Sequence, residues 1–252
     1  MIKWRLMVTT LPFVVLVVAL ALVRDFILHV EGLIEFSEVS PIISVVSLII
    51  GFMLAGVLAD FKESEKIPGE IATTLETIGD TVEIVLDALH EADPNEVRKK
   101  YNSLVSTVDD WLLDRVDVEK CYAALSEFRN VIKTIQSTVG AGYAIRCLAE
   151  THNLRRTITR VDVIERTEFI LVGYALLDLL VASVLILLLA ANYKTLVSEY
   201  LLITLFSLIY IYMSRLIRDL DAPFAYSSDK GAAEVNPYPL QEYRRRLEQR
   251  RD

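Results

Sequence analysis

Ser44-Val-Val-Ser-Leu-Ile-Ile-Gly-Phe-Met-Leu-Ala-Gly-Val-Leu-Ala-Asp-Phe-Lys-Glu-Ser-Glu-Lys-Ile-Pro68 decides how this chain is read. Its first half is apolar and, with Pro41 to Ser44 in front, long enough as a helix to cross a bilayer. At Asp60 the stretch turns charged without losing helical periodicity, so one helix is expected to leave the membrane and end at Pro68-Gly69. Gly51, Ala55 and Ala59 form an i, i+4, i+8 row of small residues that lets a neighbouring backbone approach closely. Ser44, Leu48 and Phe52 form a second such row, read as a different face. One close-packing face and one graded apolar face suit a pore lining, and equally suit an ordinary packed helix.

Composition agrees with a membrane chain. Of 252 residues 53% are hydrophobic, and the mean hydropathy is +0.40. Outward from the central stretch, Lys3 and Arg5 precede an uncharged run from Leu6 to Val23. Ala19-Leu-Ala21 imitates a signal-peptide cleavage site, but the apolar core is long for one and three further hydrophobic spans follow. The expectation is a retained first transmembrane helix, with Pro12 as a point where it can kink. Between Arg24 and Ser40 stand Asp25, Glu31, Glu35 and Glu38 against the single Arg24, which places this connector outside and the N-terminus inside.

Residues 67–166 read as a polar, all-helical insert. Ile71, Leu75, Ile78, Val82, Val85, Leu86 and Leu89 follow a 3.6-residue period that breaks at Asp93-Pro94, a cap followed by a first-turn proline. A second helix carries Val97 to Leu112, and Asp117 is positioned to cap a third that is expected to continue past Gly140-Ala-Gly142 towards Arg155-Arg156. No alternating run supports a sheet. Asp60 to Glu96 is strongly acidic, with only Lys62 and Lys66 against it, while Arg129 to Arg160 is basic. These charges either pair across the bundle or line an aqueous vestibule that concentrates cations.

The third span, from Ile170 to Ala191, carries Asp178 in its middle, where an ionisable group is expected to face protein or water instead of lipid. A fourth span follows from Leu201 to Ile217, with Arg215 and Arg218 at its inner end. Four spans return both termini and the insert to the cytoplasm. The expected organisation is 1–66 for the first two helices, 67–166 for the insert, 167–217 for the last two, and 218–252 for a cytoplasmic tail. In that tail Asp219 to Leu240 is expected to lie extended against the bundle or a neighbouring subunit, and the helical end, Gln241 to Asp252, to be solvated.

Chemistry has little to stand on. His29, His90 and His152 are scattered, Cys121 and Cys147 form no ligand pair, and neither a phosphate loop nor a nucleophile elbow is present. The reading is therefore not an enzyme and has no cofactor. A net charge of −8 with no basic aromatic stripe excludes nucleic acid as a partner.

Ile49-Ile-Gly51-Phe52, followed by Phe61-Lys-Glu-Ser-Glu65 and Ile67-Pro68, resembles the second transmembrane helix of the bestrophins. Asp219-Leu-Asp-Ala-Pro223-Phe224 is similar to the segment after the last membrane helix of that family, and closer to that of its prokaryotic members. The resemblance implies a homo-oligomeric ring, a pentamer in that family, whose second helices surround a central pore in a prokaryotic plasma membrane and pass small inorganic ions. It implies an apolar neck at Phe52, Leu48 and Ser44. Ser44 departs from the family, in which that position is usually apolar. The acidic cluster that helps hold calcium in animal bestrophins is thin here, with Asp219, Asp221 and Asp229 as candidate ion-binding residues. Three carboxylates fall short of the six to eight oxygens calcium takes unless carbonyls supply the rest. The rival reading is a non-conducting sensor or scaffold acting through its helical bundle. A transporter using Asp178 comes third, without the inverted repeats such proteins show.

Overall fold

The computed structural model describes residues 4–30, 32–86, 93–166, 171–226 and 233–249. They form α-helices joined by short turns, divided into two compact units. Unit 1 comprises Met1–Phe61 and Glu168–Ala222, and unit 2 comprises Lys62–Thr167 and Pro223–Asp252.

Unit 1 contains α1 (Arg5–Leu22), most of α2 (Phe36–Ser64), α7 (Leu171–Ala190) and α8 (Leu196–Leu220). The chain has four helices long and apolar enough to cross a membrane. Each buries a narrow stripe and leaves the rest of its apolar surface open. In α1 the buried stripe is Thr10, Val14, Val17 and Ala21, while Val8, Leu11, Val15 and Leu16 stay exposed. Such surface is unfavourable in water and at home among acyl chains. Pro12 sits inside α1 without ending it.

α1 packs chiefly on α8, and α7 also packs on α8. α2 buries Val39, Ile43, Val46, Ile50 and Val57, and it is pinned by Tyr210 of α8. The buried Tyr210 hydroxyl donates to the Ile43 carbonyl at 2.9 Å and meets the Ser47 hydroxyl at 2.6 Å. The Ser47 hydroxyl also lies 2.8 Å from the Ile43 carbonyl, so the two hydroxyls and that carbonyl form one small hydrogen-bonded cluster.

At the loop end of this unit, α1 runs into a π-helical turn, Val23–Leu28, that brings Arg24 inward. Arg24 pairs with Asp25 and with the buried Glu199, and donates to the Leu189 carbonyl. Tyr200 donates to Asp25 at 2.7 Å. The acidic connector of the sequence reading is thus partly a neutralised cluster. A two-residue parallel bridge joins β1 (Ile34–Glu35) to β2 (Ala191–Asn192), outside the 67–166 insert in which no sheet was expected. Gly32 lies so close to it that a Cβ would stand 2.5 Å from the Asn192 nitrogen.

Unit 2 contains α3 (Ile67–Leu86), α4 (Pro94–Leu112), α5 (Val118–Thr138), α6 (Ala141–Arg166) and α9 (Tyr238–Gln249). α3 packs on α6, α6 on α5 and α5 on α4, around Leu75, Ile78, Leu104, Leu125, Phe128, Leu154 and Ile158. Asp93 caps α4 as expected, accepting from the Asn95 amide at 2.9 Å. Asp117 stands at the cap position of α5, but its side chain makes no capping bond.

Three boundary expectations are corrected. The long helix does not continue to Pro68: α2 ends at Ser64, and Pro68 lies in the first turn of α3, where its missing N–H costs nothing. The third insert helix does not continue past Gly140 either. That residue adopts φ +114°, a left-handed conformation that terminates a helix, and α6 starts anew at Ala141. The helical end of the tail from Gln241, expected to be solvated, is docked. α9 packs on α3 and α4, burying Leu240 and Tyr243. The Tyr101 hydroxyl donates to the Leu75 carbonyl at 2.5 Å and meets the Tyr243 hydroxyl at 2.5 Å. Arg244 reaches Asp109 at 2.7 Å and Asp110 at 3.1 Å, and Arg246 reaches Glu76 at 2.9 Å.

Candidate functional site: the open face of α2

The six residues singled out on α2 lie in one sector. A helix turns about 100° per residue, so four-residue steps drift by only about 40° and the two rows interleave. Ser44, Leu48, Gly51, Phe52, Ala55 and Ala59 are all exposed, opposite the buried stripe from Val39 to Val57. The expectation that the two rows occupy different faces is therefore corrected. Leu48 is 58% and Phe52 69% exposed, and a Cβ added at Gly51 would meet nothing within 4 Å. Among the described residues of one chain, nothing covers this face.

Its chemistry is graded. Ser44 Oγ donates to the Ser40 carbonyl at 3.0 Å, which occupies its proton and leaves its lone pairs outward. Leu48 and Phe52 follow as two bulky apolar steps, and beyond them only Ala55 and Ala59 project. No ionisable side chain stands between Ser44 and Ala59.

Asp178 lies two turns into α7, its side chain 62% exposed in the chain, and is paired with Arg218 near the end of α8. The Arg218 guanidinium also lies 4.8 Å from the Tyr174 ring, and the Tyr174 hydroxyl donates to Asp221. An ion pair with a charged residue at the helix end lowers the cost that a lone mid-span carboxylate would carry.

Asp221 is thus engaged by Tyr174, and Asp229 lies outside the described residues. Among the described residues, no three His, Cys, Asp or Glu side chains gather as a metal site. Cys121 and Cys147 are buried, and burial pushes their thiols up to about 12 and about 11. At neutral pH both are protonated and act as packing groups.

Part of the acidic run is paired. Glu63 at the end of α2 binds Arg160 at 2.8 Å and Lys66 at 3.1 Å, Glu65 in the turn before α3 binds Lys62 at 2.7 Å, and Glu83 on α3 binds Arg98 at 2.7 Å. Together with Glu76 and Arg246, these contacts favour the cross-bundle reading over an uncompensated cation-attracting surface. Sequence reasoning missed the Tyr210–Ser47 pin, the Arg24 cluster and the docked α9. Arg24 read only as the single positive charge of an acidic connector, and nothing local in the sequence announces its partners or those of Tyr210.

No family model matches the chain, and no curated protein matches it in sequence. Solved structures do. A bacterial bestrophin homolog from Klebsiella pneumoniae, in a point-mutated form, superposes with a TM-score of 0.75 at 12% identity, covering 94% of this chain and 97% of that one. Another mutated form gives 0.71 at 13% identity over 98% and 97%. A form phased on zinc gives 0.70 at 14% over the same shares. The agreement spans both units, so this chain has the fold of the bacterial bestrophin homologs.

Proposed function

We propose that the chain assembles as a homo-oligomeric ring, a pentamer as the bestrophin resemblance implies, and conducts small monovalent ions through a central pore lined by α2. The unpartnered face of α2 carries this reading. It is apolar, exposed and uncharged over four turns, in a chain whose fold is that of the bacterial bestrophin homologs. Around a symmetry axis, Leu48 and Phe52 become successive collars, and an apolar collar narrow enough to expel water stops ions without a moving plug. Ser44 offers a ring of hydroxyls on one side of the collars. Gly51, Ala55 and Ala59, in the same sector, let adjacent copies of the helix approach closely. The ring sits in a prokaryotic plasma membrane with both termini and the 67–166 insert in the cytoplasm, following the Lys/Arg bias.

Two measurements test this. The mass of the detergent-solubilised complex reports assembly, because a single α2 cannot enclose a pore. Ion flux from liposomes then compares wild type with Leu48→Ala, Phe52→Ala, which should leak by widening and wetting the neck. A monomer, or an assembled protein silent in both forms at every salt and voltage, refutes the channel and leaves a scaffold.

A further inference from the structure

A cavity of about 170 Å³ opens where the turn between α4 and α5 meets the last turn of α6. Its lining is unbalanced: Asp114 and Asp117 from the turn, Glu119 from α5, and Asp162 and Glu165 from α6 face a single Arg166. That guanidinium is held by Asp162 at 2.7 Å, and the nearby Arg115 is turned to Asp110 at 3.3 Å. Asp114 is fixed at φ +55°, with its amide donating to the Trp111 carbonyl at 2.8 Å, so it cannot easily retreat. From the C-terminal segment Tyr226 also feels Glu165, together with Glu234. Among the described residues Glu165 itself accepts no hydrogen bond and joins no ion pair.

We propose that Glu165 is a proton-operated latch between the end of α6 and the α4–α5 turn. Protonated, it lets the turn close on α6; ionised, it adds another uncompensated charge to the cluster and loosens the contact. Crowding by protein atoms, then the carboxylates of Asp114 and Asp162, push its pKa up to about 7 against the pull of Arg166. Its carboxyl stays in reach of water, so the proton can exchange. The sign follows from linkage: an acid whose folded pKa is raised favours the closed form while protonated, and that preference is lost as pH rises through about 7. α6 leads along the chain towards α7, so the latch stands on the path by which the insert returns to the third span. It does not depend on whether the chain conducts ions.

Trp111 lines the cavity and is buried, and the only other tryptophan is Trp4. In the full-length Trp4→Phe protein in detergent, Trp111 emission should shift to the red in a one-proton transition centred near pH 7. Glu165→Gln in that background should hold the low-pH spectrum from about pH 5.5 to about 8.5. Asp114→Asn, which removes one repelling charge and leaves Glu165 in place, should move the midpoint downwards. A flat wild-type titration overturns the proposal, as does the same transition surviving in Glu165→Gln. An unmoved midpoint in Asp114→Asn overturns the carboxylate cluster as its cause.

Discussion

Removing Arg244 should release α9 from its bundle. Arg244 Nη1 bridges Asp109 at 2.7 Å and Asp110 at 3.1 Å. The Asp109 side chain is only 4% exposed, and its Oδ1 has no partner, so the whole carboxylate depends on this one guanidinium. Breaking a buried pair by deleting one member costs about 3–5 kcal/mol, because the survivor stays buried and charged. Arg244 is itself 30% exposed, so water already screens part of the interaction and the expected cost falls to about 2 kcal/mol. That raises the undocked fraction of α9 roughly 30-fold. Arg245 and Arg246 are exposed but held in a helix. Undocking lets α9 unwind and present their peptide bonds, so limited trypsin digestion reads it directly, its rate following the open population while closing outpaces cleavage. Arg244→Ala should be cut roughly 30-fold faster, and adding Asp109→Asn, which removes the stranded charge, should recover more than half of the loss. Glu242→Ala breaks only the solvent-screened pair with Arg245 and should leave the cleavage rate close to that of wild type. An Arg244→Ala rate within twofold of wild type, or equal to that of Glu242→Ala, refutes the reasoning.

Two further predictions concern unit 1. Gly32→Ala places a Cβ 2.5–2.6 Å from backbone atoms of Ala191 and Asn192, which cannot swing aside, and should cost about 1–3 kcal/mol; an unchanged melting temperature in detergent counts against the bridge. Asp178→Asn keeps an acceptor for Arg218 and should be nearly neutral, whereas Asp178→Leu strands the guanidinium and should lose about 1–3 kcal/mol. Thermal unfolding that ranks Leu equal to wild type removes any structural role for the pair.

The spans and most insert helices were legible because their signals are local: long apolar runs, a 3.6-residue period, and the Asp93-Pro94 start. What escaped depends on partners distant in sequence. α9 offers few apolar residues, and its attachment relies on Tyr101, Asp109 and Glu76, which no spacing rule connects to it. Gly140 looked like a weak point in a helix, and only its left-handed backbone makes it an end. Pro68 looked like a stop and proved to be a start, since proline suits the first turn as well as the position beyond the last. The candidate pore residues were found by spacing, yet counting faces by eye separated two rows that the helical drift merges.

The packing of α1 on α8 has a consequence for how the protein is made. Ribosomes add about 5–20 residues per second, so α1 enters the bilayer on the order of ten seconds or more before the helix it chiefly packs against exists. Until then it waits as a solitary span sheltered by lipid, with Arg24 lacking Glu199 and Gly32 lacking Asn192. The insert is completed later still, because Asp109 and Tyr101 receive Arg244 and Tyr243 only when α9 emerges. A nascent chain interrupted before Leu196 would therefore leave both units open, with stranded charges on each. Such a product is marked for proteolysis by its own missing contacts, without any separate signal.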